Sequence, residues 1–176
     1  MLSVMGVHAA RETAFEFDPY VPLVFRCFDT ADDVPLYWIA GNSHDQLMEV
    51  GLHPLTGAIC KVVATSLGRE IVHSNDSHSR HPVIAQGVPI CDVSGWDWDP
   101  YRSNDGARFR EEALPFCVVL GRDFLSIAIE KGGPANGYYR AGRMLFGVDS
   151  QNDVCRWDFT SLSPQEITNV RAAAQL

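Results

Sequence analysis

The chain has no Cys-x-x-Cys pair, no Gly-x-Ser-x-Gly turn and no apolar run near the roughly 18 residues of a membrane span. The first absence, with an odd total of five cysteines (Cys27, Cys60, Cys91, Cys117, Cys155), argues against a disulfide framework. Most lie in apolar stretches such as Phe116-Cys117-Val118-Val119, the setting of reduced core thiols in a cytoplasmic protein. The second absence leaves no nucleophile elbow. The third, with a start (MLSVMGVHAARETAFEF) lacking a basic leader before a long apolar run, predicts no membrane association.

At 176 residues, 46% hydrophobic and 20% charged, the chain is long enough for one well-buried core and short for two. One domain over 1–176 is expected. The net charge of -8 is uneven. Residues 1–50 hold eight acidic side chains against Arg11 and Arg26, a net of -6, whereas 101–150 come to +1. That asymmetry disfavours nucleic acid and favours a basic partner.

One pattern occurs twice. Met48 to Leu67 (MEVGLHPLTGAICKVVATSL) aligns with Met144 to Leu162 (MLFGVDSQNDVCRWDFTSL) across one gap in the turn. Gly51 matches Gly147, Cys60 matches Cys155, and Thr65-Ser66-Leu67 matches Thr160-Ser161-Leu162. Both read as β-hairpins. Met48, Val50 and Leu52 alternate with Leu47, Glu49 and Gly51, and Cys60, Val62 and Ala64 are expected inward, as are Cys155, Trp157 and Phe159. Pro54 and Gly57 suit the first turn, and Gly51 and Gly147 mark bulges or close approaches. Val34 to Ala40 and Leu125 to Glu130 precede the hairpins as strands, completing two three-stranded meanders, with Val21 to Phe28 and Phe116 to Leu120 adding one strand each. Ser163, Pro164 and Glu166 signal a capped C-terminal helix, stapled by Leu162 on Ile167, and Ala9 to Phe17 reads as a short second helix. The predicted fold is α+β: a mostly antiparallel β-sheet built from two similar β-meander halves (20–67 and 114–162), a central insert (68–113) and a C-terminal helix (163–175).

The insert holds His73, His78 and His81 near Asp76. Their spacing matches no zinc signature, and a nucleophilic triad is assembled by a fold rather than by sequence neighbours, so no metal, cofactor or catalytic residue is assigned. Pro82 to Cys91 reads as a buried strand. The segment after it alternates aromatic and acidic residues: Trp96, Asp97, Trp98, Asp99, then Tyr101 and Arg102. Rigid aromatics and arginine supply most binding hot spots, and carboxylates select a basic partner. These six, with Asp29, Asp32 and Asp33, form the predicted partner-binding set. The opposing reading has Trp96 and Trp98 capping the core, with Asp97 and Asp99 in water. Asp97-x-Asp99 with Asp105-Gly106 lacks the spacing of a calcium loop.

The hairpins and the ending Thr-Ser-Leu-Ser-Pro-Gln-Glu resemble small bacterial proteins, some of them encoded as immunity proteins beside polymorphic toxins. The resemblance leaves the insert unmatched and carries over no catalytic residue. It implies a cytoplasmic, non-catalytic module that neutralises a basic protein partner such as a toxin. Two alternatives stand beside it: a small-molecule binder or hydrolase working between the halves with His73, His78, His81 and Asp76, and a structural homo-oligomer joined through sheet edges.

Overall fold

The period-two alternation that dominates the chain becomes strand after strand in the computed structural model, which describes residues 1–10, 12–18, 20–27, 34–42, 45–68, 70–75, 82–97 and 108–173. In chain order these are β1 (Leu2–His8), β2 (Thr13–Glu16), β3 (Leu23–Cys27), β4 (Leu36–Gly41), β5 (Gln46–Leu52), β6 (Ile59–Leu67), β7 (Ile71–His73) and β8 (Val83–Gln86). There follow β9 (Val88–Cys91), β10 (Phe109–Glu112), β11 (Phe116–Leu120), β12 (Phe124–Ile129), β13 (Gly137–Ala141), β14 (Met144–Val148), β15 (Asp153–Thr160) and the helix α1 (Pro164–Ala173). Among the described residues no helix is long and apolar enough to cross a membrane.

The strands form two sheets. The first runs β10-β4-β5-β6-β3-β2, and the second β7-β11-β12-β15-β14-β13-β8, with β1 pairing both β15 and β9. The pairings are mixed: antiparallel within each sheet, with β10 on β4, β7 on β11 and β8 on β13 added in parallel. The inner faces meet through aromatic rings. Trp38 stacks on Trp157 at 5.9 Å, Phe25 meets Phe146 edge-on at 5.8 Å, and Phe15 touches both Phe25 and Phe159. Each such ring pair contributes about 0.5–1.5 kcal/mol beyond its buried area. An isolated bridge between Ala58 and Ile90 ties β9 to the first sheet.

Both aligned segments are hairpins with a bulge at the same place. Leu52 pairs Ile59 while Gly51 pairs Lys61, leaving Cys60 as the extra residue; Val148 pairs Val154 while Gly147 pairs Arg156, leaving Cys155. The bulges correct the expected phase. Ile59, Val62 and Ala64, and likewise Val154, Trp157 and Phe159, join the contiguous core, whereas Cys60 and Cys155 are buried outside it. The glycines opposite them are there for space: a Cβ on Gly147 would lie 2.9 Å from Ala135 and Tyr138, and one on Gly51 3.2 Å from the Lys61 Cβ. Gly57 has the positive φ its turn requires, and its N–H donates to the His53 carbonyl at 2.8 Å.

Three expectations give way. Among the described residues of Ala9 to Phe17 there is no helix: β2 pairs Thr13 to Glu16 against Cys27 to Val24, because the alternation that drives Phe15 onto Phe25 outweighs local propensity. Leu125 to Glu130 is not the neighbour of the second hairpin's first strand. As β12 it pairs β15, and the place beside β14 belongs to β13. Pro82 to Cys91 is two strands broken at Gly87, where a Cβ would lie 2.2 Å from the His8 carbonyl oxygen.

The helix starts as its sequence dictates. Glu166 N–H donates to Ser163 Oγ at 3.3 Å, Ser163 N–H donates to Glu166 Oε2 at 2.7 Å, and Leu162 and Ile167 are both buried. Arg143 holds both Glu166 oxygens, at 2.9 and 3.1 Å, and lies over the Phe15 ring. The Arg143 hydrogen bonds, opposed by burial and reinforced by Ser163, keep the Glu166 carboxyl below the usual carboxylate range. Because its folded pKa is depressed, its stabilising contribution is present above the unfolded-state value and is lost as pH falls through the folded one. Glu166→Gln therefore lowers stability by about 1 kcal/mol near neutral pH, and denaturant titrations of the two proteins converge below the carboxylate range. Trp157→Ala costs about 3–5 kcal/mol, as loss of a large core aromatic does. An unchanged melting midpoint in that variant contradicts the inter-sheet packing.

Candidate functional site

Inward placement of Trp38, Ala40, Met48 and Val50 turns Tyr37, Ile39, Leu47 and Glu49 to the outer face of the first sheet. The parallel pairing of β10 then sets Phe109 beside Tyr37 and Glu111 beside Ile39. Phe109 stacks on Tyr37 with centroids 5.4 Å apart and planes at 13°, and stays 52% exposed. In the next row Glu111, Ile39 and Glu49 stand side by side on three strands. The two carboxylates thus flank an apolar residue, with backbones about 10 Å apart, two strand spacings.

A groove of about 510 Å³ opens here, floored by Ile39 and Leu47 and edged by Glu49, Glu111 and Ser66. The Ser66 hydroxyl is engaged by the Asp45 carbonyl. Among the described residues the side-chain carboxylates of Glu49 and Glu111 have neither an ion-pair nor a hydrogen-bond partner. Glu112, also at the groove, differs. It accepts from the N-terminal ammonium at 2.6 Å and pairs with Arg110 at 3.0 Å. Burial pushes its carboxyl pKa up, but these cations and Trp38 outweigh that and hold it low. Burial raises the Tyr37 hydroxyl, helped by Cys60 and Glu49 and opposed by Arg108, which keeps it a neutral donor at physiological pH.

The predicted partner-binding set is divided. Asp29, Asp32, Asp33, Trp98, Asp99, Tyr101 and Arg102 lie outside the described residues, as do Asp76, His78 and His81. Trp96 is 9% exposed, packs in the core, and has Arg110 over its ring at 5.2 Å. It caps the core rather than presenting a face, while Asp97 beside it is exposed. His73 ends β7, exposed. Among the described residues no three His, Cys, Asp or Glu side chains converge as a metal-binding group.

The outer face of the second sheet is enclosed at its centre, although Val72, Cys117 and Arg140 along it are exposed. Asp158 is fully buried and accepts from Arg156 Nε at 2.8 Å, in register with buried Ser126. Burial, then the Asp158 charge, pushes the Tyr138 hydroxyl up to about 12. That network is structural: a buried carboxylate must be paired to be tolerated. Thiol chemistry is similarly muted. Burial raises the Cys60 and Cys155 thiols to about 11 and Cys91 to about 12, and Cys117, the exposed one, is raised by burial and by Glu130.

The groove residues Ile39 and Glu111, and the Tyr37–Phe109 stack beside them, are absent from the set predicted from sequence. The outward place of Glu49 was readable from alternation, but nothing local predicts that Glu111 pairs with the row of Ile39. No family model matches the chain, and no curated protein is significantly similar to it.

Trp96→Ala is expected to lower stability by about 3 kcal/mol, as for other large buried aromatics, whereas Asp97→Ala leaves the melting midpoint within about 0.5 kcal/mol of the parent. With a thiol-specific chromogenic reagent, Cys117 modifies in the native protein and Cys60, Cys91 and Cys155 only on unfolding; peptide mapping of the labelled protein checks the order.

Proposed function

We propose that the chain is a non-catalytic protein-binding module whose first sheet receives a basic macromolecular partner on its outer face. The observation that carries this is the unpartnered state of Glu49 and Glu111 above an apolar floor, beside a solvent-exposed aromatic stack. Unpaired carboxylates over Ile39 and Leu47 favour a cation, and Phe109 offers area that is desolvated on contact. The charge of -8 adds long-range steering of a positive partner and repels nucleic acid. A cytoplasmic immunity protein that covers a basic toxin has this chemistry, and Asp29, Asp32, Asp33 and Asp97 to Arg102 are assigned to partner binding in the same proposal on their residue types alone.

The same proposal takes the chain as two similar halves. Its support is the neighbour order, β2-β3-β6-β5-β4 in one sheet and β11-β12-β15-β14-β13 in the other, with a parallel strand added beside β4 and beside β13. The matched bulges at Cys60 and Cys155 point the same way. On this view the first sheet's outer face, with its groove and unpaired carboxylates, is the one that receives the partner.

For a partner recovered by affinity capture and measured by stopped flow, Glu49→Lys with Glu111→Lys slows association by about tenfold or more and flattens its salt dependence. Phe109→Ala instead speeds dissociation, by the equivalent of about 2 kcal/mol for a hot spot. An acidic partner, or variants that bind as the parent does, would sink the proposal.

A further inference from the structure

The acidic face ends at β10, and β10 is an edge. Among the described residues it pairs only with β4, and the one backbone hydrogen bond it makes beyond that ladder is acceptance of the Leu114 N–H by the Glu112 carbonyl, at 2.7 Å. Edge strands are normally defended by lysine, proline or a bulge, because their free N–H and C=O groups template another strand. Phe109-Arg110-Glu111-Glu112 is short and carries three charges, which also guard an edge, but it contains neither lysine nor proline, its register with β4 is unbroken, and Glu111 is the charge left to meet an incoming strand. The charge of Arg110 is occupied by the Trp96 ring and by Glu112.

We infer that the basic partner presents an extended, arginine-bearing segment that adds as a strand to the free edge of β10 and places an arginine head in the groove between Glu111 and Glu49. This rests on the proposed binding face and names what enters it. Strand addition supplies affinity through the main chain and specificity through alternate side chains. The added strand lies about 5 Å beyond β10, so an arginine on its outer face passes its stem beside Glu111 and brings its head over the Ile39 row. A guanidinium donates in several directions from one plane and bridges two separated carboxylates, whereas an ammonium is a point charge. Phe109, half exposed in the neighbouring row, offers a ring face to a second arginine two residues along.

The test uses the full chain and capped octapeptides of alternating arginine and valine, titrated by calorimetry, beside a lysine analogue and two analogues N-methylated on alternate amides. The arginine peptide is expected to bind. Methylation of one amide set, that facing β10, weakens it about tenfold or more, while methylation of the other set has little effect. The lysine analogue binds more weakly, and Glu49→Gln with Glu111→Gln weakens every peptide. If both methylated peptides and the lysine peptide bind like the parent peptide while the glutamine variant still weakens all of them, strand addition by arginine is wrong and the acidic face stands. Strand addition is equally wrong, and the acidic face again stands, if no peptide binds but the glutamine variant weakens the captured partner. If no peptide binds and that variant leaves the partner's affinity unchanged, both the inference and the binding face fall.

Discussion

The contact on which the rest depends is the stack of Trp38 on Trp157 between the two sheets, continued by Phe25 on Phe146 and Phe15 on Phe159. Sheets have a side-chain period of two, so committing these rings to the interior decides the facing of every neighbouring residue. A slip of one residue in β15 would carry Arg156 and Asp158 inward and expose Trp157 and Phe159. A slip in β5 would drive Glu49 into the core in place of Val50. The outward place of Glu49 is therefore a consequence of core packing, as is the buried ion pair of Arg156 and Asp158.

That constraint yields opposite results on the two outer faces. On the second sheet Asp158 is enclosed and meets its need for compensation within the chain, through Arg156. On the first sheet Glu49 and Glu111 lie at a groove open to solvent, where a carboxylate keeps its hydration and needs no partner to be tolerated. An enclosed carboxylate has its charge met within the chain; an open one keeps its attraction for cations outside it. Glu112, one residue from Glu111, also lines the groove, but its charge is met by the N-terminal ammonium and Arg110.

The twin bulges show how local irregularity serves the same packing. An extra residue at Cys60 and at Cys155 lets the strand recover its inward phase for Val62 and for Trp157 after the turn. Each bulge faces a glycine whose missing side chain makes room, for Lys61 and Pro35 at Gly51 and for Ala135 and Tyr138 at Gly147. Simple alternation counted the cysteines as inward because it cannot see a residue that belongs to neither face.

By itself the sequence determined the features that depend on neighbours along the chain. The two hairpins follow from alternation and turn chemistry at Gly57, and the helix start from the reciprocal bonds of Ser163 and Glu166. The inward facing of Trp157 and Phe159 follows from the same period. Tertiary structure alone decided what depends on distant pairing. Thr13 to Glu16 became a strand because β3 was there to receive it and Phe25 to pack on Phe15, and Gly137 to Ala141 took the place beside β14. The groove belongs to this second class. Glu49 and Glu111 come from strands far apart in the chain, and only the parallel docking of β10 on β4 sets them on either side of Ile39, a juxtaposition that no local pattern encodes.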